Sequence, residues 1–177
     1  MNEFSVLIIF CEMFILILLG GLAVYAIYQL TSIRTAPYVP STPEDIKLLL
    51  SKAGVKPGTR LVDLGSGMGD ICFAAAQLGA IATGIERNPM LVLLSRLRTP
   101  SALRGQVHFI RANFFRYQVP ENTDVVALYL LPHALPGVWK KLNKELRPGA
   151  TVVSNAFAIP GVEPTFQQKG ARLYLIP

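Results

Sequence analysis

Asp63 stands near the end of an apolar run, Leu61-Val62-Asp63-Leu64, and three glycines follow at alternate positions, Gly65, Gly67 and Gly69. Glycine lets a backbone turn tightly and approach a ligand with no Cβ in the way. A helix-like segment begins at Asp70, and a helix start presents unpaired N–H groups. Strand, glycine turn and helix in that order make a nucleotide pocket. Ser66 lies inside the turn, and Asp63 is placed to read a polar ligand group.

The turn discriminates among nucleotides. A P-loop is excluded, because no Gly-Lys-Ser/Thr closes it. A dinucleotide fingerprint needs a small third residue where this chain has Asp70, so the match to NAD binding is poor. A strand–turn–helix corner that needs its glycines only for packing stays open. The order Asp63-x-Gly65-x-Gly67-x-Gly69 resembles motif I of class I methyltransferases, which bind S-adenosylmethionine.

The surrounding pattern predicts the elements that position this turn. Thr42 reads as an N-cap with Pro43 at N1 and Glu44-Asp45 in the first turn, opening a helix to about Ala53 that stops at Gly54. Strands are expected at 60–64, 81–85, 107–111, 124–130 and 150–155, with a final one at 172–176. Helices are expected at 70–78, 89–97 and 135–145. The alternation predicts an α/β fold with a doubly wound, mostly parallel sheet. Such sheets bind ligands beyond the carboxyl ends of their strands.

Those strand ends carry suitable chemistry. Glu86 lies 23 residues after Asp63, near the offset of a ribose-binding acid. Asn113 is placed to bond an adenine edge and Phe114 to stack on it. Tyr129-Leu130-Leu131-Pro132-His133 faces the reacting end of the cofactor, and Asn155 ends the fifth strand.

The front of the chain is different. Val6 to Tyr28 is apolar except for Glu12. Eighteen helical residues from Met13 to Leu30 span roughly 27 Å, about one hydrocarbon core. This predicts a transmembrane anchor over 1–33, a proline-rich linker over 34–42 and a catalytic domain over 43–177. A cleaved signal peptide is the rival reading, with Val24-Tyr25-Ala26 as a weak cleavage site, but the front lacks a basic n-region. All 17 basic residues follow the apolar segment with nine of the 11 acids, so the remainder is +8. The positive-inside rule then expects the domain on the cytoplasmic side, or the matrix side in a mitochondrion. The charge suits anionic headgroups. No dense Lys/Arg run with interleaved aromatics points to nucleic acid. Cys11 and Cys72 imply neither a disulfide nor a metal site.

Three segments carry a family resemblance: Pro37-Tyr38-Val39-Pro40-Ser41-Thr42, then LVDLGSGMGD, then GIERNPMLVLLSRLR. Together they resemble the small membrane-anchored lysine methyltransferases. In animal mitochondria these include the enzymes that modify an ATP synthase subunit and the adenine nucleotide translocase, and prokaryotic relatives exist. The similarity runs from Pro37 to the C-terminus. It implies a Rossmann-like class I fold, S-adenosylmethionine as cofactor and a lysine-bearing membrane or membrane-proximal protein as partner. The chain departs from the family pattern at Met68, Asp70 and Asn113, where relatives carry an acid, a base and an acid.

A lysine amine has a solution pKa of about 10.4 and must shed a proton before it attacks a methyl group. A dry, aromatic-lined slot lowers that pKa, and Tyr38, Tyr129 and Pro132 are the candidates to line it. His133 is the candidate to take the proton. Methylation of a lipid or other small hydrophobic molecule, and a silent cofactor-binding scaffold, are the alternatives.

Overall fold

The structure, a computed structural model, describes residues 3–32 and 42–177, with side chains from 6 to 26 and from 42 onward. The chain divides into two compact units, Met1–Pro37 and Tyr38–Pro177.

The first unit holds helix α1 (Glu3–Ser32). Its stretch Val6–Ala26 is long and apolar enough to cross a membrane. Side chains such as Phe10, Phe14 and Leu18 are exposed around it.

The second unit opens with α2 (Pro43–Lys52), capped as the sequence predicts: Thr42 Oγ1 accepts from Asp45 N at 3.2 Å. Then follow β1 (Arg60–Leu64), α3 (Asp70–Gln77), β2 (Ile81–Glu86), α4 (Pro89–Arg98), β3 (Val107–Arg111), β4 (Val125–Leu128), α5 (Leu135–Glu145), β5 (Thr151–Asn155), β6 (Phe166–Gln168) and β7 (Ala171–Leu175). The strands form one sheet in the order β3-β2-β1-β4-β5-β7-β6. β1 to β5 are parallel, while β7 runs antiparallel to β5 and β6 antiparallel to β7.

Alternating strand residues divide between two cores. Leu61, Ala82, Phe109 and Val153 face α2, α3 and α4. Val62, Leu64, Val126, Leu128 and Val152 face the other way, against α5 and against Val119 and Ile159 from the connecting segments. The winding is therefore uneven, with three helices on one face and one helix plus loops on the other.

Two expectations are corrected. The fourth strand ends at Leu128 rather than Leu130, because its ladder with β1 ends at the pair Leu64–Leu128 and Gly65 then turns away at φ 88°. The antiparallel β6 is not predicted by the sequence pattern; it is three residues long, with no room for a periodic signal.

Helix α2 packs on β5 and β7, and its last residues border the amino ends of the strands, where Ala53 and Gly54 lie near Val125 and Thr151.

Candidate functional site

Adjacent strands β1 and β4 lead away in opposite directions, β1 to β2 and β4 to β5, so their carboxyl ends bound the crevice where open α/β sheets hold ligands. The glycine turn rises from β1 and the 129–133 loop from β4.

Hydrogen bonds fasten the turn to β2. Gly65 N and Ser66 N both donate to Ile85 O, at 2.8 and 3.1 Å. Glu86 completes the fastening: Oε2 accepts from Gly67 N at 3.0 Å, and Oε1 from Asn88 N at 2.8 Å. Asn88 in turn caps α4 by accepting from Met90 N. One carboxylate thus ties the turn to the entrance of the next helix while each oxygen keeps a further acceptor site.

Phe109, which the sequence pattern does not single out, is the floor of this turn. A Cβ on Gly69, which sits at φ 90°, would lie 2.3 Å from the Phe109 ring. One on Gly84 would lie 2.6 Å from both that ring and Ser66 Oγ. These two glycines therefore admit Phe109, and the packing interpretation holds for them. A phenylalanine inside a β-strand has no sequence signature beyond core, so this role is not legible from residue order.

Ser66 Oγ is buried and has no hydrogen-bond partner. A buried hydroxyl without a partner is costly, so an orphan inside the turn fits a pocket completed by a polar ligand.

Asp63 is 2% exposed. Burial foremost, then the charges of Glu86 and Asp70, push its carboxyl up from 3.8 to about 7, against a lowering bond from Cys72. Cys72 Sγ lies 3.9 Å from Asp63 Oδ2. Burial, and after it Asp63, push that thiol well above its ordinary range, so it is no thiolate nucleophile.

Asp70 pairs with Arg98 at 3.1 Å, and Arg98 also donates to Met68 O. Arg98 of α4 thus ties the end of the turn to the neighbouring helix.

The remaining candidates are distributed as follows. Asn113 Oδ1 accepts from Phe115 N and shapes the turn after β3. Phe114 is half-buried at the edge of the second core, its ring centroid 4.7 Å from that of Phe115. Tyr129 is half-buried just beyond β4, and Pro132 and His133 are exposed in the turn before α5. Asn155 is buried at the end of β5, opposite Ala171. Tyr38 lies outside the described residues.

This strand order, the acid–glycine turn after β1 and the acid ending β2 define a class I S-adenosylmethionine-dependent methyltransferase fold. The model of the ANTKMT methyltransferase domain family matches residues 63–166, and the chain belongs to that family. It is 34% identical over 125 residues to a lysine N-methyltransferase of rat (Rattus norvegicus) named for an ATP synthase subunit, covering 70% of this chain and 57% of that protein. It is 33% identical over 132 residues to a protein-lysine N-methyltransferase of Saccharolobus islandicus, covering 72% and 81%. Among solved structures, an RNA methyltransferase of Salinibacter ruber holding S-adenosyl-L-homocysteine superposes with a TM-score of 0.74 at 32% identity, over 78% of this chain and 94% of that one. The chain thus spans little more than half the length of the rat relative.

Proposed function

We propose that this chain is an S-adenosylmethionine-dependent protein-lysine N-methyltransferase held at a membrane by α1. The observation that carries the reading is the glycine turn tied by Glu86, in a chain whose family relatives are named lysine methyltransferases. Asp63, Gly65, Ser66, Gly67, Gly69 and Glu86 hold the ribose and amino-acid side of the cofactor, and Asn113 and Phe114 border its adenine.

When bound, the cofactor supplies a methyl group already activated by a sulfonium. The protein has to supply position, a dry approach and an outlet for a proton. The loop after β4 provides these: Tyr129 offers a ring face that attracts an ammonium and sheds water from it, and Pro132 adds an apolar wall. His133, exposed on the same loop, accepts the proton as the amine becomes a nucleophile. Tyr38, which lies outside the described residues, is the further aromatic candidate for the slot. On this reading the domain faces the cytoplasm or the matrix, and its net positive charge supports that side and a nearby anionic surface.

The test uses the full chain reconstituted with membranes and methyl-labelled S-adenosylmethionine, followed by acid hydrolysis. Label in methyl-lysine supports the reading, and label confined to lipid overturns it. A second reading, an RNA acceptor, draws on the name of the Salinibacter ruber protein and on the net +8 charge beyond α1. Label in nucleic acid would favour it.

A further inference from the structure

Helix α4 has two apolar faces. Leu91, Val92 and Ser95 are buried against the sheet. On the other side Met90, Leu93, Leu94 and Leu97 recur at i, i+3, i+4 and i+7, the spacing of one continuous stripe. Leu93 is 50% exposed and Leu97 72%. Single exposed apolar residues are ordinary, but a contiguous stripe marks an interaction surface. Helix α5 on the opposite face of the sheet behaves differently, showing Lys140 and Lys144 to solvent.

The charges around the stripe select its partner. Helix α4 carries no acid, and the 3.6-residue period places Arg96 along one border of the stripe and Arg98 along the other. Both are held in place: Arg96 Nη2 donates to Phe109 O at 2.6 Å, and Arg98 bonds Met68 O and Asp70. An arginine has five N–H donors, so each keeps donors for phosphate oxygens. An apolar stripe bordered by arginines, in a region of net positive charge, is the pattern of a helix lying in the headgroup boundary of an anionic bilayer.

We infer that the outer face of α4 docks on an anionic lipid surface, with Leu93 and Leu97 entering the acyl boundary. The inference rests in part on the proposed membrane location, which brings lipid within reach, but the stripe is a separate observation from α1. The α4 entrance also carries Asn88 and the Glu86 bond, so docking bears directly on the element that fastens the cofactor turn.

The experiment uses the full chain with Cys11→Ser, leaving only the buried Cys72. A polarity-sensitive fluorophore is attached through Leu97→Cys, Leu16→Cys on α1 or Lys140→Cys on α5, in separate samples. The protein is reconstituted in phosphatidylcholine vesicles with or without phosphatidylglycerol, and the lipids carry a nitroxide near the headgroup end of the acyl chain for positions 97 and 140, or near its methyl end for position 16, the middle of the apolar stretch. Expected is a blue shift and loss of emission at position 97 in the anionic vesicles, and none at position 140. Loss at position 16 without loss at 97 overturns the docking and leaves the anchor standing. Loss at neither position overturns both. Shielding of position 97 from aqueous iodide without lipid quenching also overturns it, since protein rather than lipid then covers the stripe.

Discussion

Replacing Asp63 by asparagine tests the electrostatics of the site most directly. Asp63 is buried beneath the glycine turn, with a carboxyl pushed from 3.8 to about 7 by burial foremost and by Glu86 and Asp70 after it. In the unfolded chain it loses its proton near 3.8, so between there and about 7 the folded protein holds more protons than the unfolded one. The stability contributed by this group is complete at low pH and declines as pH rises through that window. At about 1.4 kcal/mol per pH unit, the full displacement is worth roughly 4 kcal/mol, of which roughly 2.5 kcal/mol falls between about pH 5 and pH 8. Asparagine has nothing to ionise, so the stability of Asp63→Asn minus that of the native chain rises by that amount over the same interval. Urea unfolding in detergent micelles, followed through the fluorescence of Trp139, measures the difference; this only tryptophan is half-buried on α5, 5.8 Å between ring centroids from Tyr174. A flat difference between the two pH values would refute the claim that Asp63 is held neutral.

Three further perturbations bear on the same turn. Gly69→Ala brings a Cβ to 2.3 Å from the Phe109 ring at a φ of 90°; we expect a loss of about 3 kcal/mol in the same urea assay, and a variant as stable as the parent would contradict the packing of Phe109. Glu86→Gln places an NH₂ against one of two backbone donors, Gly67 N or Asn88 N. It should cost about 1–3 kcal/mol, weaken S-adenosylmethionine binding in calorimetry and bring the Asp63 transition to lower pH. Arg98→Ala breaks the exposed pair with Asp70, so stability should change by less than about 1 kcal/mol, while cofactor affinity falls because Met68 O loses its tie; unchanged affinity would detach Arg98 from the site.

Much of the frame is legible in the sequence because local chemistry and tertiary need coincide. Thr42-Pro43-Glu44-Asp45 specifies a helix start through a side-chain cap, a preset φ and acids near the positive helix end. The strands β1, β2 and β3 are short apolar runs bounded by turns, and their carboxyl ends necessarily carry the turn, Glu86 and Asn113. Less legible is the second face, because the segments after β3 and β5 cover it without a helical period. The roles of Asn113 and Asn155 are also hidden, since an asparagine at a strand end reads alike whether it bonds a ligand, a turn or the interior.

By itself the sequence determined the alternation of elements, the strand ends available for chemistry, and a front segment apolar enough to cross a bilayer. Those properties depend on residue type and on periods of a few residues. Only tertiary structure decided that Phe109 occupies the space beneath Gly69 and Gly84, and that Glu86 fastens Gly67 to Asn88. It likewise decided that Arg98 answers Asp70 and that Leu93 and Leu97 remain uncovered. Each of these depends on which distant segments meet, or fail to meet, across the sheet, and no local period encodes that.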